Sequence, residues 1–177
     1  ERLDHERLDD ARLEGEGRMP VLAAGSNQSP AQLKRKYGGL ADAGMIPARR
    51  GRLHDFDVVY AAHLTAYGSV PATFQHSPGT AVVVFVLWLD ERQLARMHET
   101  EGNYTYDHLT DIRITLDSGA EMCQAFAYSS KSGCLNHGGA CIGLKEIPAT
   151  DRRFEALGQV AALTLMRHRF APGEEVD

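Results

Sequence analysis

Basic residues are in the minority: 19 Lys and Arg stand against 24 Asp and Glu, a formal net charge of -5 over 177 residues. No cationic excess is there to neutralise phosphates, which argues against nucleic acid or an anionic membrane as a partner. Long hydrophobic runs are lacking too. The longest, Ala81 to Leu89, falls far short of the ~20 residues that a bilayer span needs. No signal-peptide pattern stands at the start. Cysteine is sparse and odd in number, at three residues, so a secreted disulfide framework is not expected and a reducing, cytoplasmic setting is. Paired C-x-x-C knuckles are missing. Cys134, His137 and Cys141, even with Cys123 nearby, match no strong zinc spacing, so they read as core or loop residues and no metal is expected. A G-x-S-x-G elbow is missing as well. A Ser/His/Asp hydrolase therefore finds no support, and His54, His63, His76 and His108 read as surface or strand residues.

What is there is a solid apolar fraction, 43% of the residues, enough for one domain with a packed core. Residues 1–18 stand apart as a charged tail or loosely docked helix. Arg-Leu recurs there at Arg2-Leu3, Arg7-Leu8 and Arg12-Leu13, a five-residue step. Helical residues turn by ~100° each, so that step lays down no single apolar stripe. The domain is expected over residues 19–171, followed by an acidic tail at 172–177.

Within the domain, Met19 to Ala24 is a short apolar run that reads as a buried strand. Gly25 to Gln28 reads as a loop. Ser29-Pro30 then opens a helix, with Ser as N-cap and Pro at the first helical position, and Lys34, Arg35 and Lys36 suit the dipole of its last turn. Pro47 to Leu53 reads as a basic connection, His54 to His63 and Val70 to Gln75 as strands, and Ser77-Pro78-Gly79 as a turn. Thr80 to Leu89 is β-branched and aromatic with little alternation, which predicts a central strand. Asp90 and Gln93 approach a capping box for a short helix ending at Gly102. Ile112 to Leu116 and Glu121 to Tyr128, joined by Asp117-Ser118-Gly119, predict a hairpin. Lys131 to Lys145 has no clear period. Asp151 to Arg169 predicts a helix with Phe154, Leu157, Ala161 and Leu165 on one face. Strands outnumber helices without alternating with them, which predicts an α+β fold: a mixed β-sheet or small β-barrel with helices packed outside.

Two places carry chemistry. A strand feeding Gly25-Ser26-Asn27, followed at once by a capped helix, is an anion-binding corner, because N–H groups at a helix N-terminus are unpaired. Gly25 permits close approach of a ligand, and Ser26 and Asn27 add side-chain donors. Glu101 closes a short helix next to Gly102. The negative end of a helix dipole disfavours a carboxylate, so nothing local asks for one there. Such a position, with burial, raises a carboxyl pKa toward the range that suits a proton carrier. Glu99 competes for the role but falls on the more exposed face.

The stretches "LAAGSNQSPAQLKRK" and "VPATFQHSPGTAVVVFVLWLDERQLARMHETEGNYTY" resemble the γ-glutamylcyclotransferases in order and spacing, from about Val21 to Tyr128. Differences are present: Ala24 stands where that family usually has Tyr, His98 where it commonly has Asp, and Ser129 to Pro148 has no match. The resemblance implies a γ-glutamylcyclotransferase-like fold. It also implies that Gly25, Ser26 and Asn27, with Gln28 beside them, hold a glutamyl group, that Glu101 is the general acid/base, and that Tyr104 or Tyr106 lines the pocket. The implied reaction releases 5-oxoproline and a free amine from a small γ-glutamyl compound, needs no cofactor, and leaves a homodimer open. The alternative is a non-catalytic relative that binds a small acidic metabolite or a protein in the same pocket.

Overall fold

The computed structural model of the chain describes residue 13, residues 16–40 and residues 44–170. Most of the expected N-terminal tail and the whole C-terminal tail lie outside the described residues. Leu13 does not: it is 4% exposed, packed in the main core.

A mixed sheet forms the frame. β1 (Met19–Ala23) runs antiparallel to β3 (Ala72–Leu89) and parallel to β7 (Ala125–Ser130), so the expected apolar strand is flanked on both edges. β3 also pairs along its length with β2 (Ala48–Tyr60), and β7 pairs with β4 (Tyr104–Leu109). β5 (Ile114–Leu116) and β6 (Glu121–Met122) form a short hairpin against β2, but the expected second arm, Glu121 to Tyr128, breaks after Met122 and continues as β7 beside β4 and β1. Short strands β10 (Gly143–Leu144) and β12 (Ala156–Leu157) extend the far edge, and β11 (Ala149–Thr150) pairs with β3. The sheet does not close into a barrel; its path runs open from β12 to β4.

Successive strand residues face opposite sides, so β1 and β3 serve two cores. Leu22, Val84, Val86 and Trp88 join the larger core, where α3 (Gln159–Phe170) packs Ala162 and Met166. Val21, Ala23, Leu87 and Leu89 join a second core, closed by Tyr37 of α1 (Pro30–Tyr37) and Met97 of α2 (Glu91–Thr100). Central position and burial on both faces explain the continuous apolar run in β3.

Four other expectations change. Ser77-Pro78-Gly79 does not turn the chain: β3 continues through it, and residues 77–80 bulge opposite Asp55 alone. Proline has no N–H for a ladder and is tolerated at such a bulge. Gly79 at φ 84 and Asp55 at φ 61 make the irregularity, and the Gly79 N–H donates to Asp55 Oδ1 at 2.8 Å. The basic connection from Pro47 to Leu53 is instead the first half of β2, where Gly51 and Leu53 face inward between more exposed arginines. The C-terminal helix starts at Gln159, not Asp151, because Arg152 is held by Asp57 and Ala156–Leu157 is drawn out as β12. Its buried residues are Ala162 and Met166, one position on from Ala161 and Leu165. Finally, Cys134 and Cys141 are joined in a disulfide with Cα atoms 5.7 Å apart, which the odd cysteine count did not suggest. The pair closes a hairpin of β8 (Asn136–His137) and β9 (Ala140–Cys141), while Cys123 is exposed and free. Among the described residues, no helix is long and apolar enough to cross a membrane.

Candidate active site

The site hangs from the ends of two buried elements. At the end of β1 the chain enters a tight turn, Gly25–Gln28, and then α1. The turn is held by Asn27 N–H donating to Ala24 C=O and Ser29 N–H donating to Ser26 C=O. The Asn27 N–H is therefore occupied. The Gly25 and Ser26 N–H groups have no partner among the described residues. Gly25 is required here twice over: its φ is +54, and a Cβ would sit 2.9 Å from Ala72 Cβ. Gly25→Ala is expected to cost about 1–3 kcal/mol of stability through that strained backbone, measured by urea denaturation; an unchanged midpoint would show that the turn can relax.

The second element is α2. Its start is fixed by a capping box, Gln93 N–H donating to Asp90 Oδ1 at 2.8 Å and Asp90 N–H donating to Gln93 Oε1 at 3.0 Å. Its C-cap is Glu101, whose N–H donates to His98 C=O. Fixing α2 at both ends aims the Glu101 side chain back toward the β1 turn.

There the motifs meet. Asn27 Nδ2 donates to Glu101 Oε1 at 3.0 Å. Lys36, from the last turn of α1, donates to the same oxygen at 2.7 Å and to Asn27 Oδ1 at 2.8 Å. The Lys36 and Glu101 side chains are only 13% and 11% exposed, so this ion pair is largely out of water. Such burial is costly unless the remaining hydrogen bonds are made. Lys36 is one site residue that the sequence does not mark: beside Lys34 and Arg35 at a helix C-terminus it reads as a dipole-matching cation, and no local pattern distinguishes it.

Gly25, Ser26, Asn27, Lys36 and Glu101 line one cavity of about 860 Å³. Tyr104 lines it too, its hydroxyl donating to Ala72 C=O at 3.0 Å. Burial first, then the Glu101 charge, push the Tyr104 phenol well above its ordinary pKa. Tyr106 does not line it. That ring stacks on Phe126 at 4.8 Å, and its buried hydroxyl has no partner among the described residues; burial pushes its pKa up to about 12. Gln28 also turns away, donating to Ala23 C=O at 3.1 Å. Tyr128, which no sequence signal marked, reaches the cavity and pairs with His98 Nδ1 at 2.8 Å. His63, in a loop, also lines the cavity, edge-on to Tyr104 at 5.6 Å, and burial lowers its pKa. Glu99 lies on the exposed side of α2, bonded to Arg96 at 2.6 Å.

The arrangement offers a carboxylate, two unpartnered backbone donors and a cavity of mixed polar and apolar lining beyond them, which can hold an acidic molecule and move a proton at one of its atoms. No family model matches the chain, and no curated protein does. Solved structures match. One, a γ-glutamyl cyclotransferase, is 19% identical with a TM-score of 0.51, covering 65% of this chain and 68% of that one. An uncharacterized protein from Homo sapiens is 20% identical with a TM-score of 0.50, covering 64% and 67%. YkqA from Bacillus subtilis is 12% identical with a TM-score of 0.52, covering 70% of this chain and 45% of that one. At these identities the likeness is one of fold: the chain is an α+β protein with a mixed, open sheet and three described helices, built like the γ-glutamyl cyclotransferase structure.

Proposed function

We propose that the chain is a γ-glutamylcyclotransferase-like enzyme that converts a small γ-glutamyl compound to 5-oxoproline and a free amine. One observation carries the reading: Asn27 and Glu101, 74 residues apart in sequence, touch at 3.0 Å on the wall of one cavity. Nothing local forces that meeting, and a binding pocket alone would not need a nearly buried carboxylate.

The chemistry is a ring closure. The substrate's α-nitrogen bonds to the carbonyl carbon of its own γ-glutamyl amide, closing a five-membered ring, and the carbonyl π pair moves onto oxygen. The Gly25 and Ser26 N–H groups are the donors available to that oxyanion. The C=O bond then re-forms and the bond to the leaving amine breaks. Of the ammonium's three protons, one stays on the lactam nitrogen and two end on the departing amine. Glu101 carries them, one at a time, taking each from the attacking nitrogen and returning it to the leaving one. The cavity folds the glutamyl chain on itself, which removes most of the entropic barrier to cyclisation.

The test is a panel of γ-glutamyl amino acids and γ-glutamyl amines, with 5-oxoproline release as the readout. Release from at least one supports the reading. Tight binding across the panel with no release would favour the non-catalytic alternative.

A further inference from the structure

We propose that Lys36 is the positioning residue of this site: it locks the Asn27 side chain and the Glu101 carboxylate into one unit and keeps a fixed positive charge beside the place where the substrate's α-ammonium docks. The inference rests on the cyclotransferase reading.

Three acceptors surround one ammonium. Lys36 Nζ donates to Glu101 Oε1 at 2.7 Å, Asn27 Oδ1 at 2.8 Å and Met97 Sδ at 3.0 Å. A lysine ammonium has three protons, so none is left to grip a substrate. The contacts dictate the orientation of the Asn27 side chain, whose Oδ1 must face Lys36 and whose Nδ2 then faces Glu101. Both bonds to the carboxylate fall on Oε1. Oε2 has no partner among the described residues and is the oxygen open to an incoming amine.

Stability alone is a weak reason for such a pair, because apolar residues of similar volume often serve as well at a buried position. A role in the reaction gives a stronger one. A cation next to an ammonium disfavours its protonated form, so Lys36 favours the free α-amine that attacks. Its bonds to Oε1 also keep the carboxylate from swinging out of line as Oε2 gains and loses a proton.

The other groups around Glu101 do not substitute for this charge. Tyr37 from α1, Tyr104 from β4 and Tyr128 from β7 are all pushed to higher pKa by burial and stay neutral through the working range. On α2 itself, Arg96 is bonded to Glu99 and to Lys36 C=O, and His98 is bonded to the Tyr128 hydroxyl.

The experiment compares Lys36→Met, Lys36→Gln and Lys36→Arg with the parent, and uses Lys34→Met, an exposed neighbour, as control. Two readouts are taken: the split of any loss between kcat and KM for 5-oxoproline release, and the carbon-13 NMR line of the Glu101 carboxylate at one fixed pH, which needs no turnover. Lys36→Met is expected to lower kcat by about 10²-fold with KM little changed, the cost of a displaced reacting group. It should also shift and broaden the carboxylate line, because the side chain is no longer held in one geometry. Lys36→Arg should restore the line and most of the rate, and Lys34→Met should move neither. Lys36→Gln decides the matter on the same two readouts where Lys36→Met does not fold. An active parent with unmoved kcat and line in the Met and Gln variants overturns the role of Lys36 alone. A parent inactive on every γ-glutamyl compound, with the line still moved, overturns the cyclotransferase reading and the catalytic role that rests on it.

Discussion

Glu101→Gln will cut 5-oxoproline release by about 10²–10⁴-fold, the usual contribution of a general acid/base, while substrate still binds. The glutamine keeps the shape of the side chain and a carbonyl oxygen for Lys36 and Asn27, which sit 2.7 and 3.0 Å from Glu101 Oε1. It removes the charge that pairs with Lys36 and, with it, the uptake and return of a proton. Glu99→Gln is the matched control, since Glu99 points away and pairs with Arg96 at the surface; its rate should stay close to that of the parent. Initial rates give the first quantity, and calorimetric titration with a non-cyclising γ-glutamyl analogue gives the second. Full activity in Glu101→Gln would put the base elsewhere and overturn the mechanism. Lost binding together with lost rate would make Glu101 a ligand-holding group instead.

The second large effect lies away from the chemistry. Arg152→Met is expected to destabilise the protein by about 3–5 kcal/mol, the range for breaking a buried ion pair by removing one partner. Asp57 is fully buried and receives Arg152 Nε at 2.9 Å and Nη2 at 3.0 Å, besides a bond from Val58 N–H at 2.8 Å. Without the guanidinium, a charge remains in the core with a single backbone donor. The double variant Asp57→Leu with Arg152→Met should recover part of the loss, because it removes the stranded charge as well as its partner. Urea denaturation of the three variants measures this. A loss below ~1 kcal/mol in Arg152→Met would mean that Asp57 finds water or another donor. Arg152 also donates to Ile147 C=O at 2.8 Å, and Ile147 lines the cavity. The single variant should therefore loosen that wall and raise KM more than it lowers kcat.

How far the sequence could be read depended on how local each cause was. Val21, Leu22 and Ala23 are apolar in a row because both faces of β1 are buried, and that run is visible without any structure. Asp90 and Gln93 cap α2 through contacts three residues apart, which spacing alone predicts. The misreadings have partners far along the chain. Pro78 and Gly79 look like a turn, but Asp55 across the ladder converts them into a bulge. The arginines of β2 hid a strand whose inward positions, Gly51 and Leu53, alternate as a strand should. Asp151 to Gly158 carries helix-compatible residues, yet Asp57 and β10 hold it extended. The same holds for the site. Gly25 and Glu101 stood out because each is odd for its own neighbourhood. Lys36 is ordinary for the end of a helix and acquires its meaning only from an oxygen 65 residues away in sequence.

The placement of β1 bears on how the molecule comes into being. Val21 lies between Leu87 and Phe126, so the strand that carries Gly25 to Asn27 gains its neighbours only from chain synthesised much later. Pairings this distant in sequence carry a large loop-closure entropy and slow the search for the native state. On a ribosome, β1 would wait, apolar and unpaired, until β3 and then β7 emerged. The turn from Gly25 to Asn27 would therefore be set in place late in biosynthesis, and a chain truncated before Ala72 would leave an apolar N-terminal segment with no sheet to join.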